Sequence, residues 1–227
     1  MKNRKGRFMM TMGLLLTAAA LLLTGYNLLE EYKAERNANE ALTVVADMIP
    51  TTVAASEEAD TDVEAAKPQE DEVPEFVENS EKEMTVGFVD GLAYIGVVEI
   101  PDLDLKLPVL SEWSDENLKV APCRYVGSAY TQDLIISGHS YKNHFRYIRN
   151  LNRGAEIVFT DMDGNRFVYA VSDTEVIDGS GVEQMLAGDW DLTLFTCTYG
   201  GASRHTVRCK LVEDENPWME YRMVEEE

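Results

Sequence analysis

Three side chains in the C-terminal half of this 227-residue chain have the chemistry for acyl transfer: the thiol of Cys197, the imidazole of His139 and the guanidinium of Arg204. A thiol forms its thiolate at accessible pH and attacks a carbonyl, giving a thioester that an amine can open. An imidazole can protonate the departing amine and later deprotonate the incoming one. A guanidinium stays cationic and offers a planar fork of donors to a developing oxyanion. Each of the three sits where a strand should end or begin. Leu192–Cys197 reads as a strand with Thr193, Phe195 and Cys197 on one face and Leu192, Leu194 and Thr196 on the other. Tyr199-Gly200-Gly201 follows it, which brings the thiol to the rim of a sheet. His139 follows the apolar run Leu134-Ile135-Ile136-Ser137 and Gly138, again at a strand end.

The other candidates receive structural readings. His144 lies in a Tyr-Lys-Asn-His-Phe loop, and His205, next to Arg204, points to the opposite face of its strand. Arg208 shares the face of Arg204 but lies about 13 Å along the strand, too far to serve the same carbonyl, and is expected to form surface salt bridges. Cys123 and Cys209 are expected as two unpaired core thiols, with a disulfide as the alternative in an oxidising compartment. No C-x-x-C or H-x-x-x-H spacing supports a zinc site. Asp161-Met162-Asp163-Gly164-Asn165 lacks the spacing and the distal glutamate of a calcium loop and reads as a turn.

The elements that must position these groups are short strands. Ala93–Ile100 is stopped by Pro101; Leu105–Leu110, 133–137, 156–160, 166–171, 174–177, Leu192–Cys197 and 206–211 follow. Asp163-Gly164 between Val158-Phe159 and Phe167-Val168 marks a hairpin. Seven or eight strands with few helices predict a mainly β fold, a small closed barrel rather than a parallel α/β sheet.

Thr193-Leu194-Phe195-Thr196-Cys197, Gly138-His139 and Arg204 together resemble the sortase signature: a TLxTC strand bearing the nucleophile, a preceding Gly-His and an arginine on the next strand. The resemblance extends over Ile100-Pro101, Leu107-Pro108-Val109 and residues 145–171, so it spans roughly residues 86–211. It implies an eight-stranded barrel with helices in its connections and a cysteine transpeptidase. Cys197, His139 and Arg204 would be catalytic, acting on an LPxTG-like C-terminal sorting signal of secreted proteins. The acceptor would be an amine of peptidoglycan precursor or of a pilin. Thr196, in the same pentapeptide, is assigned to substrate binding. Lys142, Arg146, Arg149 and Arg153 recur every three or four residues and predict a short amphipathic helix with a basic face. The plain reading is a solvated face; the sharper one has Arg146 and Arg149 bind the anionic head of a cell-wall precursor. No cofactor is expected: some sortases bind calcium through loop carboxylates, but nothing here marks those positions. Pilin-polymerising sortases carry an Asp-Pro-aromatic lid, from which Ser111-Glu112-Trp113-Ser114 departs, so wall anchoring is preferred. The compact stretch between Leu110 and His139 looks closer to class B sortases. A thiol hydrolase with the same residues, or a tethered module that binds sorting signals without turnover, are the competing readings.

The ends determine where this happens. Phe8 to Gly25 is uncharged and about 27 Å long as a helix, near the roughly 30 Å hydrocarbon core of a bilayer. Lys2, Arg4, Lys5 and Arg7 precede it, while Glu30, Glu31 and Glu35 follow, which predicts a cytoplasmic N-terminus and an extracellular domain. A cleaved signal peptide has similar parts, but no clear A-x-A site follows, so an uncleaved anchor is expected. The organisation expected is a basic tail (1–7), a membrane helix (8–29), a juxtamembrane helix (30–49), an acidic disordered linker (50–84), the catalytic domain (85–212) and an acidic tail (213–227). The formal charge of −21 belongs mostly to the flanks: residues 47–83 hold thirteen acids and two bases, and residues 213–227 seven acids and one base. That sign disfavours nucleic acid, whose phosphates need clustered cations. The linker is expected to stand the domain off the membrane.

Overall fold

The computed structural model describes residues 2–50 and 83–212. Most of the expected linker and all of the expected acidic tail lie outside the described residues. Among the described residues there are nine strands: β1 (Gly87–Val89), β2 (Leu92–Ile100), β3 (Leu105–Leu110), β4 (Cys123–Val126), β5 (Leu134–Ser137), β6 (Glu156–Asp161), β7 (Arg166–Asp178), β8 (Leu192–Cys197) and β9 (Ser203–Leu211). Three α-helices accompany them: α1 (Lys2–Met48), α2 (Asp115–Leu118) and α3 (Val182–Leu186).

The sheet runs β1-β2-β3-β4-β5-β8-β9-β7-β6, and β6 pairs back onto β2. Eight strands therefore close into a barrel, while β1 shares one edge of β2 with β6. Alternation explains the closure. Leu107 and Val109, Leu134 and Ile136, Ile157 and Phe159, and Leu192 and Leu194 point inward at period two and fill one core. The outward faces are covered in two places. Part of α1 lies over Val97, Leu110 and Cys123, and Met185 of α3 lies over Ile135 and Phe195. β5 is buried on both faces, which is why Leu134-Ile135-Ile136 is a continuous apolar run instead of alternating.

The predicted Asp163-Gly164 turn joins β6 to β7. Asp161 anchors it, accepting hydrogen bonds through Oδ1 from the backbone N–H groups of Asp163 (3.0 Å) and Asn165 (2.8 Å). Its Oδ2 accepts from the hydroxyl of Tyr130 and the side-chain amide of Asn165. The two strands predicted over 166–177 are one strand with a bulge between Val171 and Asp173. The basic stretch is not an α-helix but a 3₁₀ segment, Phe145–Asn150, with Phe145 and Ile148 buried.

α1 is a single helix of 47 residues, about 70 Å long. Its first half is long and apolar enough to cross a membrane, and the side chains of that stretch are exposed. Its second half is no free spacer. Ala34, Ala38, Ala41 and Val45 recur at helical spacing and are buried against the barrel. The small side chains let the helix lie close to the strands, so the domain is docked on the helix that was expected only to extend the membrane segment.

His144 sits at this junction, 1% exposed, and neither ring nitrogen has a hydrogen-bond partner among the described residues. Burial, reinforced by the charge of His139, lowers its pKa to about 4, opposed by the Ala34 backbone. The folded protein therefore binds fewer protons than the unfolded chain between about pH 4 and the ordinary histidine value. Stability should be full above that value and fall as pH drops through the window, by about 3 kcal/mol in total. His144→Phe should remove this part of the acid slope. Melting curves of both proteins at pH 7.5 and 4.5 check it; parallel losses in the two would exclude His144 as the source.

Candidate active site

The β8–β9 hairpin sets the site. Its cross-strand pairs are Thr193 with Arg208, Phe195 with Thr206, and Cys197 with Arg204 on one face, and Thr196 with His205 on the other. Directly opposed residues hold their Cβ atoms about 4.5–5.5 Å apart, so the thiol and the guanidinium start from neighbouring positions. The connection Thr198–Ala202 keeps them there. Gly200 and Gly201 adopt φ of 83° and 74°, a conformation that costs a side-chain-bearing residue. Ser203 N–H donates to Thr198 Oγ1 (3.1 Å), and Thr198 N–H to the Ser203 carbonyl (2.9 Å).

On the other side of β8, β5 runs parallel with Ser137 beside Phe195, and Gly138 N–H donates to the Phe195 carbonyl at 3.0 Å. His139 and Cys197 thus both lie two residues beyond one paired position. Gly138 is required by space: a Cβ there would fall 2.3 Å from the Phe145 ring.

Cys197, His139 and Arg204 line one groove of about 390 Å³. Trp113, Asp115 and Leu118 form one wall, and Ile177, Val182 and Met185 another. Aromatic rings run along the groove, with Trp113 and Tyr125 edge-to-face at 6.2 Å and Tyr125 and Phe195 at 5.4 Å. Such a groove combines an apolar lining with a thiol, an imidazole and a guanidinium.

The three cysteines are free, and Cys197 is the exposed one. Burial pushes the Cys123 thiol up to about 12 and the Cys209 thiol higher still. Neither can supply a thiolate near neutral pH. The His139 ring stacks on Tyr141 with centroids 3.9 Å apart and planes at 5°. Burial, with the charge of Lys119, holds its pKa below the ordinary range, against the opposing Asp115. The imidazole is therefore mostly neutral at neutral pH and ready to accept a proton. Arg204 Nη1 donates to the carbonyls of Gly201 (2.8 Å) and Ser203 (3.1 Å). Its Nε and Nη2 have no hydrogen-bond acceptor among the described residues, so half the fork is available to a substrate oxygen.

Other sequence expectations change here. Thr196 is buried with its hydroxyl unpartnered and turned away from Cys197, so it does not line the groove. Period-two alternation dictates this: a residue next to Cys197 on the same strand faces the other way. Arg146 is drawn to α1, where Nη2 pairs with Glu31 at 2.8 Å, while Arg149 is exposed on the 3₁₀ segment; neither lines the groove. Arg208 is not at the surface. It is 2% exposed, because α3 covers that face of β9. Nε donates to Glu175 (2.8 Å), Nη1 to the Met185 carbonyl (2.8 Å) and Thr193 Oγ1 (3.1 Å), and Nη2 to the Gln184 carbonyl (2.7 Å). Arg208 thereby ties α3, one wall of the groove, to the strand pair carrying Cys197. Tyr141 was also missed; its signal was an aromatic two residues after the histidine, at the spacing that puts side chains on one face of an extended chain.

A family model described as Sortase domain matches residues 98–212. No curated protein matches the chain. Among solved structures, the chain is similar to sortase C from Clostridium perfringens, at 24% identity and a TM-score of 0.45, covering 53% of this chain and 70% of that one. It is also similar to a Clostridium perfringens sortase D5 transpeptidase (23%, TM-score 0.47, covering 53% and 79%). A third is sortase C1 from Streptococcus agalactiae (22%, TM-score 0.48, covering 56% and 72%).

Proposed function

The chain belongs to the sortase family, and from that premise we propose that it is a membrane-anchored cysteine transpeptidase joining secreted proteins to an amine of the cell wall. The observation that carries this reading is the exposed thiol of Cys197 directly across from Arg204, in one groove with His139. His139 takes the thiol proton as the Cys197 sulfur attacks the carbonyl carbon of the scissile bond in an LPxTG-like sorting signal. The carbonyl oxygen takes the negative charge and is met by the free donors of Arg204. The C–N bond breaks, His139 protonates the leaving amine, and a thioester remains on Cys197. An amine of peptidoglycan precursor then attacks the thioester, His139 takes its proton, the C–S bond breaks, and the departing thiolate recovers that proton from His139 as the free thiol. The basic residues before Phe8 and the acids after Gly25 support an N-terminus in the cytoplasm and a catalytic domain outside.

The test is mass spectrometry of the full chain in detergent micelles with an LPxTG-type peptide library, with and without an amine acceptor. A thioacyl adduct on Cys197 that the amine converts to ligated peptide is the expected result. Release to water at a rate independent of amine would indicate a thiol hydrolase. Retention of peptide without any adduct would indicate a binding module; a pilin lysine as the better acceptor would indicate polymerisation.

A further inference from the structure

The segment 140–146 after His139 is held from outside the barrel. Glu31 of α1 accepts the Lys142 backbone N–H through Oε1 at 2.6 Å and pairs with Arg146 Nη2 at 2.8 Å. Arg146 Nε in turn donates to the carbonyl of Ser140, the residue next to His139, at 3.1 Å. The segment is also bent back on itself: Phe145 N–H donates to the His139 carbonyl and His144 N–H to that of Tyr141, both at 3.1 Å. Tyr141, between these anchors, lies flat on the His139 ring. Burial first, then the carboxylates of Glu30 and Glu31, raise the Tyr141 phenol above its ordinary range, which agrees with its place between helix and groove.

We propose that Glu31, on the helix that carries the apolar N-terminal segment, is a positioning residue for His139, acting through segment 140–146 and the ring of Tyr141. A carboxylate more than a hundred residues away in sequence closes the loop that orients the proton-transfer group. The contact is partly withdrawn from solvent, which strengthens it over an open surface pair. Glu31 lies six residues beyond Gly25, about 9 Å along the helix. The anchor helix therefore orients the histidine side of the groove close above the end of the apolar segment. The proposal rests on the reading of His139 as the group that moves the proton.

The imidazole itself gives the readout. In the full chain in micelles, the His139 ring resonances, assigned by His139→Gln, are titrated by NMR. The groups facing that ring are Asp115 and Lys119 from the α2 wall, Cys197 and Arg204 across the groove, and Tyr141 and His144 of its own segment. In Glu31→Ala and Tyr141→Ala the ring loses its cover, so its titration midpoint should rise toward the ordinary histidine range. Glu31→Gln, which keeps an acceptor for Lys142 N–H, should fall between, and Tyr141→Phe, which keeps the stacked face, should match wild type. Glu40→Ala, which removes only an exposed pair with Arg36, is the control. Amine-dependent ligation by Glu31→Ala should lose on the order of tenfold in kcat with KM unchanged. An unchanged His139 titration in Glu31→Ala, Glu31→Gln and Tyr141→Ala would overturn the proposal. Failure of wild type to ligate while the titrations still move would instead overturn the transpeptidase reading and leave the coupling standing.

Discussion

Cys197→Ala is expected to abolish amine-dependent ligation, lowering kcat/KM by more than about 10⁴-fold, while leaving the fold intact. The residue ends a strand with its side chain exposed, so removing sulfur opens no cavity. The other thiols cannot substitute: Cys123 and Cys209 are buried and their pKa values are pushed far up. Arg204→Ala should cost about 10²–10³ in kcat, since the lost donors act where charge develops rather than where substrate first binds. Arg204→Lys should recover little, because a single ammonium cannot both hold the Gly201 carbonyl and reach a substrate oxygen as the fork does. Stopped-quench kinetics with intact-mass detection measures acylation directly. Persistence of acylated protein in Cys197→Ala would place the nucleophile elsewhere.

Arg208→Ala is expected to destabilise the protein by about 2–4 kcal/mol and to weaken peptide binding without touching the reacting groups. The guanidinium is almost fully buried and donates to Glu175, Thr193 and the carbonyls of Gln184 and Met185. Truncation leaves the Met185 carbonyl and the Thr193 hydroxyl without their donor and opens the space under α3. Because α3 supplies Val182 and Met185 to the groove, KM should rise in the peptide assay. Alkylation of Cys197 by a small reagent should proceed as in wild type, since the hairpin turn and the Arg204 contacts are independent of α3. Urea unfolding followed by the two rate measurements separates these effects. A stability change under about 0.5 kcal/mol would mean that α3 is held by its apolar contacts alone.

Local pattern decides structure over the longer strands. Leu105–Leu110 and Leu192–Cys197 are strands with the predicted ends, because alternating apolar residues bounded by proline, glycine or polar residues leave few other conformations. β4 and β1 escaped it. They have four and three residues, and β4 pairs with β3 through one register position, so their extended form comes from neighbours already in place. The basic stretch 142–153 showed helical spacing, yet Phe145 must turn under Gly138, and that packing selects the tighter 3₁₀ form.

By itself the sequence determined the thiol of Cys197 at a strand end, the face of its strand, the histidine and arginine that accompany it, the barrel class and the apolar segment near the N-terminus. These follow from period-two alternation, turn residues and motif spacing, all readable within a few residues. Only the tertiary structure decided that Arg208 is a buried clamp and that α1 docks on the barrel and reaches the His139 segment through Glu31. Those outcomes depend on which outer faces of the barrel are covered by α1 and α3. The covering pairs residues far apart in the chain, and no local periodicity carries that information.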